Sequence, residues 1–469
     1  MSGQQIRQQM DQDPDSVLLR SGPVIDATGL LLLISTITVF LLPLFIYFPP
    51  VPPSQRDALL ETHSPIGVKH SKSKKKTTTT SPSKITIDQL WIYPVKSCKG
   101  IQLTSSKVLP YGLEFDRLYT FAQLKSPFPL STNPSSAEDK LQPQESWEFI
   151  TQRQFPLLAT LTVELFSPDP VKARGKPLYS DASIKDSFLL ISFPWQEPGL
   201  RGVVSWVAAK LARGRGAVPQ KQLVLPVSFP SQDEIESQGY EREEVRIWKD
   251  VVSALNMEKD LPRELALYLG VSNRLGLFRV DPGRLREVHR CAPGREEAGY
   301  QPVTGFQDAY PLHLLNLSSI RDFSVKITKD ENLEQDLDAR RFRANIIVDG
   351  PEENNPPYDE ETWKKVGFKM SNDAEGGKSK PAAATFHVSC RTVRCKMPNV
   401  NQDSGFRHPV EPDRSLRKLR DVDEGARLKG CLGMQLTPLF DGEEKLESWV
   451  EVGMSVEVGE RGGHRYINQ

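Results

Sequence analysis

Two cysteines stand among three cations in Val388-Ser389-Cys390-Arg391-Thr392-Val393-Arg394-Cys395-Lys396. A guanidinium beside a thiol favours the thiolate, which is the form that binds soft metals. Period-two alternation gives Cys395 and Val393 one face of a strand, Arg394 and Thr392 the other. A turn-rich loop follows, Asn399-Val400-Asn401-Gln402-Asp403-Ser404-Gly405, with Asp403 as its candidate acid. The chain has five cysteines: Cys98, Cys291, Cys390, Cys395 and Cys431. Their number is odd, their spacing is wide, and no CxxC or Cys/His cluster has zinc spacing. That pattern reads as reduced thiols in a cytosol-like compartment. Composition alone leaves both Cys390 and Cys395 as ordinary buried cysteines.

Phosphate chemistry is available upstream. In Tyr93-Pro94-Val95-Lys96-Ser97-Cys98-Lys99-Gly100 a strand ends at a proline, and a cation, a hydroxyl and exposed amides follow. That set can hold a phosphate, and it would serve equally as a plain surface turn. In Gly112-Leu113-Glu114-Phe115-Asp116-Arg117-Leu118-Tyr119, Arg117 can close an ion pair or present its fork to a phosphate. Phe149-Ile150-Thr151-Gln152-Arg153 and Phe342-Arg343-Ala344-Asn345 add two more arginines on strand-like runs. No G-x-G-x-x-G fingerprint and no haem or iron–sulfur spacing occurs. A redox reaction here would therefore take its electrons from other proteins.

Short strands must position these residues. Runs at 85–93, 118–122, 158–166, 188–192, 245–248, 312–317, 342–348, 385–393 and 455–460 read as strands. Helices are expected at 203–211, 262–269 and 358–366, with another capped by Ser318 or Ser319 and running through Phe323. Polar, breaker-rich insertions are expected at 126–146, 214–244, 281–299 and 369–381. The fold class that follows is mixed α/β and strand-rich, in two parts meeting near residues 285–305.

Ahead of this body, Thr28 to Phe48 carries no charged residue and has the length to cross a hydrocarbon core of ~30 Å. Polar residues precede it and prolines follow, which is unlike a cleaved signal. A single transmembrane helix over residues 28–48 is expected. The flanking Lys69, Lys72, Lys74, Lys75 and Lys76 place the C-terminal part in the cytosol and offer contact with anionic lipid. Residues 49–84 read as a flexible tether. With 60 basic and 60 acidic residues the net charge is zero, which excludes a general nucleic-acid binder.

Taken in order, YPVKSCKG, G-L-x-F-D-R, F-I-T-Q-R, F-R-A-N-I and V-R-C with D-S-G beyond it resemble the motif series of MOSC-domain proteins. Within that family the series is similar to the mitochondrial amidoxime-reducing components. The resemblance implies a MOSC N-terminal β-barrel domain over 85–290 and a MOSC β-barrel domain over 300–465. In front stand a polar tail 1–27, the transmembrane helix 28–48 and the linker 49–84. It implies a molybdenum cofactor, Mo-molybdopterin, whose metal is ligated by Cys395. Lys96, Ser97 and Arg117 align with residues on the cofactor's phosphate; Arg343, Asn316 and Ser318 align with further contacts, and Val393 and Arg394 precede the ligand. The implied activity is a molybdenum-dependent oxidoreductase that reduces N-hydroxylated substrates. Its electrons would come from a small haem b cytochrome and an NADH-dependent flavin reductase. The implied place is the mitochondrial outer membrane, with the endoplasmic reticulum as the alternative. MOSC domains also close cofactor sulfurases, which implies a non-redox cofactor or sulfur carrier as the alternative role and adds a family-level pyridoxal phosphate label. The loop after Cys395 departs from the family's T-x-D-P-x-T-G: Asn401 stands for the aspartate and Gln402 for the proline.

Overall fold

The computed structural model describes residues 26–47, 54–68, 84–126, 145–173, 186–370, 384–442 and 444–467, with side chains of the first segment described through residue 41. The tail before residue 26, the lysine run, and most of the expected insertions at 126–146 and 369–381 lie outside these residues.

Alternating apolar residues close two β-barrels. In the smaller one, Tyr119–Lys125, Ser146–Phe149, Glu241–Ile247, Asp250–Asn256 and Leu275–Val280 form a ring. The ring is sealed by the parallel pairing of Val245 with Trp147. Trp147, Phe149, Val245, Val252 and Phe278 fill its interior. In the larger barrel the order is Ile346–Asp349, Leu312–Asn316, Cys431–Leu439, Ala384–Val393, Trp363–Lys369, Ser455–Arg461 and Thr86–Ile92. Pairing of Ile346–Asp349 with Thr86–Ile92 returns the last strand to the first and closes the ring. Leu90, Leu314, Val366, Phe386, Val388 and Leu436 lie in its buried cluster. Thr86–Ile92 thus precedes the small barrel in sequence but is a stave of the large one, and the chain crosses between barrels from Tyr93 to Tyr119.

Several expectations are corrected by tertiary context. Residues 358–366 form a short 3₁₀ turn, Asp359–Thr362, and then the strand Trp363–Lys369, not a helix. The run at 342–348 is strand only from Ile346, because Ala339–Phe342 is a 3₁₀ turn and Arg343 is left-handed. Asn316, not Ser318 or Ser319, caps the helix Leu317–Lys326, its side chain accepting from Ser318 N at 3.1 Å. The expected insertion at 214–244 holds the strand Gln220–Pro226 and the helix Gln232–Gln238. Part of the expected tether is built in: His63–Ile66 pairs with Thr162–Pro168 at the edge of a four-stranded sheet.

The expected transmembrane helix over 28–48 is overturned. Ala27–Tyr47 is helical, yet among the described residues no helix is long and apolar enough to cross a membrane. The helix carries hydroxyl residues among its apolar ones. Within it Ser35, Thr36 and Thr38 turn their hydroxyls back onto the carbonyls of Leu32 and Ile34. The orientation and lipid contact built on a membrane span fall with it.

A buried polar network locks the large barrel's helix to its wall. Asn316 Nδ2 donates to Asn355 Oδ1 at 2.7 Å and to Glu360 Oε2 at 3.1 Å, and Ser319 Oγ donates to Glu360 Oε1 at 2.7 Å. Burial raises the Glu360 carboxyl to about 7. The folded chain therefore holds this proton more tightly than the unfolded chain. The stability tied to Glu360 is complete below its unfolded value and is lost as pH rises through about 7. Glu360→Gln should therefore stabilise the protein by about 2 kcal/mol more at pH 8 than at pH 5, relative to wild type. Denaturant titration at both pH values checks this, and a pH-independent difference would refute it.

Candidate functional site

The two barrels enclose a cavity of about 1550 Å³ whose lining includes Lys96, Ser97, Arg117, Arg343, Val393, Arg394 and Cys395. Backbone geometry brings the first three together. Beyond Thr86–Ile92 the chain turns at Pro94, where Tyr119 N donates to Pro94 O at 3.0 Å. Lys96 N donates to Tyr119 O at 2.8 Å, and Arg117 N to Tyr93 O at 2.9 Å. These bonds hold Lys96–Ser97 beside Arg117, although the two motifs are some twenty residues apart. Ser97, Arg117, Trp248, Arg343 and Leu428 all line this cavity with φ between 50° and 66°. They are five of the eight non-glycine residues with positive φ among the described residues. Each such backbone costs on the order of 1 kcal/mol, so the surrounding structure is spending stability to aim these side chains.

Two guanidinium groups grip one ring. Arg343 lies 4.1 Å from the centre of the Tyr93 ring and Arg117 lies 4.7 Å from it. Arg117 is ion-paired with the buried Asp116. Arg343 Nη1 donates to Cys98 O at 2.7 Å, while its Nη2 is buried without a partner. Burial lowers Arg343 to about 10 and also lowers Arg394. Arg394 Nη2 donates to Phe342 O at 3.0 Å, and its Nε is buried and unpartnered. Lys96 is already engaged: its Nζ donates to Phe306 O and to Asp308 Oδ1, both at 2.6 Å.

The cysteines separate cleanly. Cys395 is partly exposed and lines the cavity. Cys390 is fully buried in a cluster with Val288 and Tyr310. Cys98 and Cys431 are buried, and burial pushes both thiols up to about 12. The period-two expectation for Val393 and Cys395 fails, because the strand Ala384–Val393 ends before Cys395 and its register shifts twice, between Val388 and Cys390 and between Arg391 and Val393. Cys395 therefore lies just past the strand, in irregular chain outside the ladder.

Not every expected residue arrives. Asn316 and Ser318 lie outside the cavity lining and serve the Glu360 network and the helix cap. Asp403 is exposed outside the lining, where Arg340 grips it in a two-toothed ion pair at 3.0 and 2.6 Å. The loop's departures have local explanations. Asn401 Oδ1 accepts from the backbone of Asp403 and Ser404, as an aspartate there would. Gln402 and Gln152 exchange amide hydrogen bonds at 3.0 and 3.3 Å, tying the loop beyond Cys395 to the F-I-T-Q-R segment. Gln152 also donates to Ser97 O at 2.7 Å.

Three lining residues escaped the sequence reading. Trp248, at the tip of a hairpin, donates its indole N–H to Asp308 at 3.1 Å and carries Arg153 stacked 4.2 Å from its ring. Trp248 follows a short apolar run, which gave only a strand signal. Asp308 lies in a stretch with no recognisable pattern. His313 is embedded in Leu312–Asn316, and its Nε2 is buried without a hydrogen-bond partner. Burial, reinforced by Arg394 and Arg117, holds its imidazole well below its usual range and so neutral. A polar residue inside an apolar strand was the available signal.

The residues fit a large anionic ligand. An unpartnered buried donor costs about 1–3 kcal/mol, more when charged, and Arg343 Nη2 and Arg394 Nε are two such donors in one cavity. Among the described residues no group of three or more His, Cys, Asp or Glu side chains could hold a metal ion. A metal held by Cys395 would therefore have to bring most of its ligands with it, as a metal chelated by an organic cofactor does.

Comparison with known proteins relates two stretches of the chain to described domains. The MOSC domain family matches residues 301–461, and the MOSC N-terminal beta barrel domain family matches residues 84–186. The chain is 22% identical over 360 residues to mitochondrial amidoxime reducing component 2 of Rattus norvegicus, covering 76% of this chain and 77% of the relative. It is 22% identical over 341 residues to mitochondrial amidoxime-reducing component 1 of Mus musculus, covering 72% of each. It is 28% identical over 162 residues to molybdenum cofactor sulfurase of Oryza sativa subsp. japonica, 33% of this chain but only 17% of that protein. None of these matches supports the pyridoxal phosphate label that the resemblance carried.

The Gln152–Gln402 pair should couple the two segments measurably. Gln152→Ala and Gln402→Ala should each destabilise the protein by about 1–2 kcal/mol, with a coupling of about 0.5–1.5 kcal/mol in the double-mutant cycle. Chemical denaturation of the four proteins reads the coupling; strictly additive losses would show that the two amides act independently.

Proposed function

The chain belongs to the MOSC-domain family, and from that premise we propose that its cavity binds a molybdenum cofactor with Cys395 Sγ as the protein ligand to the metal. One observation carries the proposal: a partly exposed thiol shares a single cavity with two arginines that each hold a buried nitrogen without a partner. The reading is a molybdenum-dependent oxidoreductase acting on N-hydroxylated compounds, in keeping with the names of its two amidoxime-reducing relatives.

When bound, a molybdenum cofactor supplies two-electron chemistry and exchange of an oxygen atom. The chain's residues prepare the place for it. Lys96, Ser97 and Arg117 face the cavity and would bind the cofactor's phosphate, with Asp308 and Asp116 setting the directions of the two cations. Arg343 and Arg394 would donate their free nitrogens to acceptor atoms of the pterin, a charge-assisted contact that fixes orientation. Arg394 precedes Cys395 directly and sets a positive charge beside the sulfur in the same cavity. Asn316, Ser318 and Asp403 are given no part in binding, because each is committed elsewhere.

Electrons would reach the site from separate proteins, a haem b cytochrome and its NADH-dependent flavin reductase, since the chain carries no nucleotide or haem fingerprint of its own. A mitochondrial location is the reading that the names of the relatives support. The sulfurase matches favour a second reading, in which the same cavity carries the cofactor or its sulfur without reducing a substrate.

Metal analysis and turnover separate these readings. Wild type should contain stoichiometric molybdenum and reduce benzamidoxime with an artificial electron donor. Cys395→Ser should be folded, with a stability change within about 0.5 kcal/mol, and inactive. Cys390→Ser should keep its molybdenum. Lys96→Met should weaken cofactor retention about ten- to a hundredfold, for the loss of one charged contact worth about 1.5–3 kcal/mol. Molybdenum without turnover supports the carrier, and undiminished activity in Cys395→Ser ends the ligand assignment.

A further inference from the structure

The first register shift in the strand Ala384–Val393 has a second effect. Phe386 and Val388 point into the barrel's core cluster. After the shift, Cys390 belongs instead to a small cluster outside that core, with Val288 and Tyr310, and Cys291, Ala309 and Tyr466 pack against it. A β-bulge re-aims a side chain in this way. Cys291 reaches the same cluster from the loop after Arg286–Glu287. It is partly accessible, and its thiol donates to Arg465 O at 3.6 Å. Two thiols from segments about a hundred residues apart therefore share one packing cluster, one buried and one partly accessible.

We propose that Cys291 and Cys390 are a redox-active dithiol that small hydroperoxides oxidise to a disulfide. An accessible thiol beside a resolving thiol is the arrangement peroxide-sensing pairs use. The Cys291 thiolate would attack one oxygen of the peroxide. An S–O bond forms, the O–O bond breaks, and the second oxygen leaves as water or an alcohol. The Cys390 sulfur would then attack the Cys291 sulfenic acid. The S–S bond forms, the S–O bond breaks, and the departing hydroxide takes the Cys390 proton and leaves as water. Two electrons pass from the thiols to the peroxide: dithiol plus hydrogen peroxide gives disulfide plus two waters, and dithiol plus an alkyl hydroperoxide gives disulfide plus one alcohol and one water.

The roles of the two sulfurs follow from their surroundings. The Cys390 hydrogen bond pushes the Cys291 thiol below its usual range, and that same pairing together with burial pushes Cys390 up. Cys291 is the attacker and Cys390 the resolving thiol. Cys98 and Cys431 are buried with raised thiols, and neither belongs to this cluster. Tyr310 and Tyr466, which border the pair, also line the large cavity. The disulfide would clamp the loop at Cys291 to the strand five residues before Cys395.

The test needs neither cofactor nor turnover. Reduced full-length protein is treated with hydrogen peroxide, alkylated with N-ethylmaleimide, and mapped by mass spectrometry of non-reduced peptides. Two of the five cysteines should lose alkylation, and a peptide pair joining Cys291 to Cys390 should appear and vanish with dithiothreitol. Cys395→Ser should leave the link unchanged. Cys390→Ser should abolish it and leave Cys291 trappable by dimedone. A linkage between any other pair, oxidation of Cys395 ahead of Cys291, or full alkylation of all five thiols after peroxide would overturn the proposal.

Discussion

Positive charge held out of water is the constraint around which this structure is organised. Lys96, Arg117, Arg343 and Arg394 converge on one cavity, and only Lys96 and Arg117 have a carboxylate partner, Asp308 and Asp116. An unpaired buried charge costs several kcal/mol. The fold offsets part of that cost with aromatic faces and carbonyls. Tyr93 and Phe342 lie beneath the Arg343 and Arg394 guanidinium groups, and the carbonyls of Cys98 and Phe342 accept from them. What is left unsatisfied, one nitrogen on each of Arg343 and Arg394, is the part a ligand can use.

Holding like charges together demands a rigid frame, and the two barrels supply it by sharing chain. Thr86–Ile92 closes the large barrel, and the next segment runs into the small one. Lys96, Ser97 and Arg117 lie on that crossing, so neither barrel can shift without moving them. Gln152 stitches the crossing from the other side, through Ser97 O and Gln402. Where the family pattern has a proline to stiffen the loop, this chain has a glutamine whose amide reaches across to the other segment. Stiffness that proline would give locally is supplied here by a long-range hydrogen-bond pair.

Much of the frame was legible in the sequence and less of the site. Runs such as Ile87–Ile92, Leu189–Phe193 and Phe386–Val388 alternate or stay apolar because one or both faces are buried, so their strands were readable. The stretch 358–366 looked helical because periodicity over nine residues cannot see the partner strands Ala384–Val393 and Ser455–Arg461 that claim its backbone. Lys96, Arg117, Arg343 and Cys395 were found through ordered motifs, whereas Trp248, Asp308 and His313 belong to no motif and were missed. Asn316 and Ser318 lie outside the cavity lining, and in sequence a buried asparagine that caps a helix looks like one that binds a ligand. Left-handed backbone at Ser97, Arg117 and Arg343 has no signature at all in those residue types.

The strand Ala384–Val393 shows why the sulfur at the site is Cys395 and not its neighbour. A regular strand alternates strictly, so two cysteines five residues apart would face opposite ways and one would enter the barrel core. Two register shifts break that rule. Before the first, Phe386 and Val388 pack the core. After it, Cys390 is sealed in a side cluster where its pairing with Cys291 and its burial oppose ionisation. After the second the ladder ends at Val393, and the chain continues over Arg394 to Cys395, which lines the cavity. Only the last position joins a reachable sulfur to an adjacent guanidinium and open volume. The irregularities, not the strand itself, sort two chemically identical thiols into different roles.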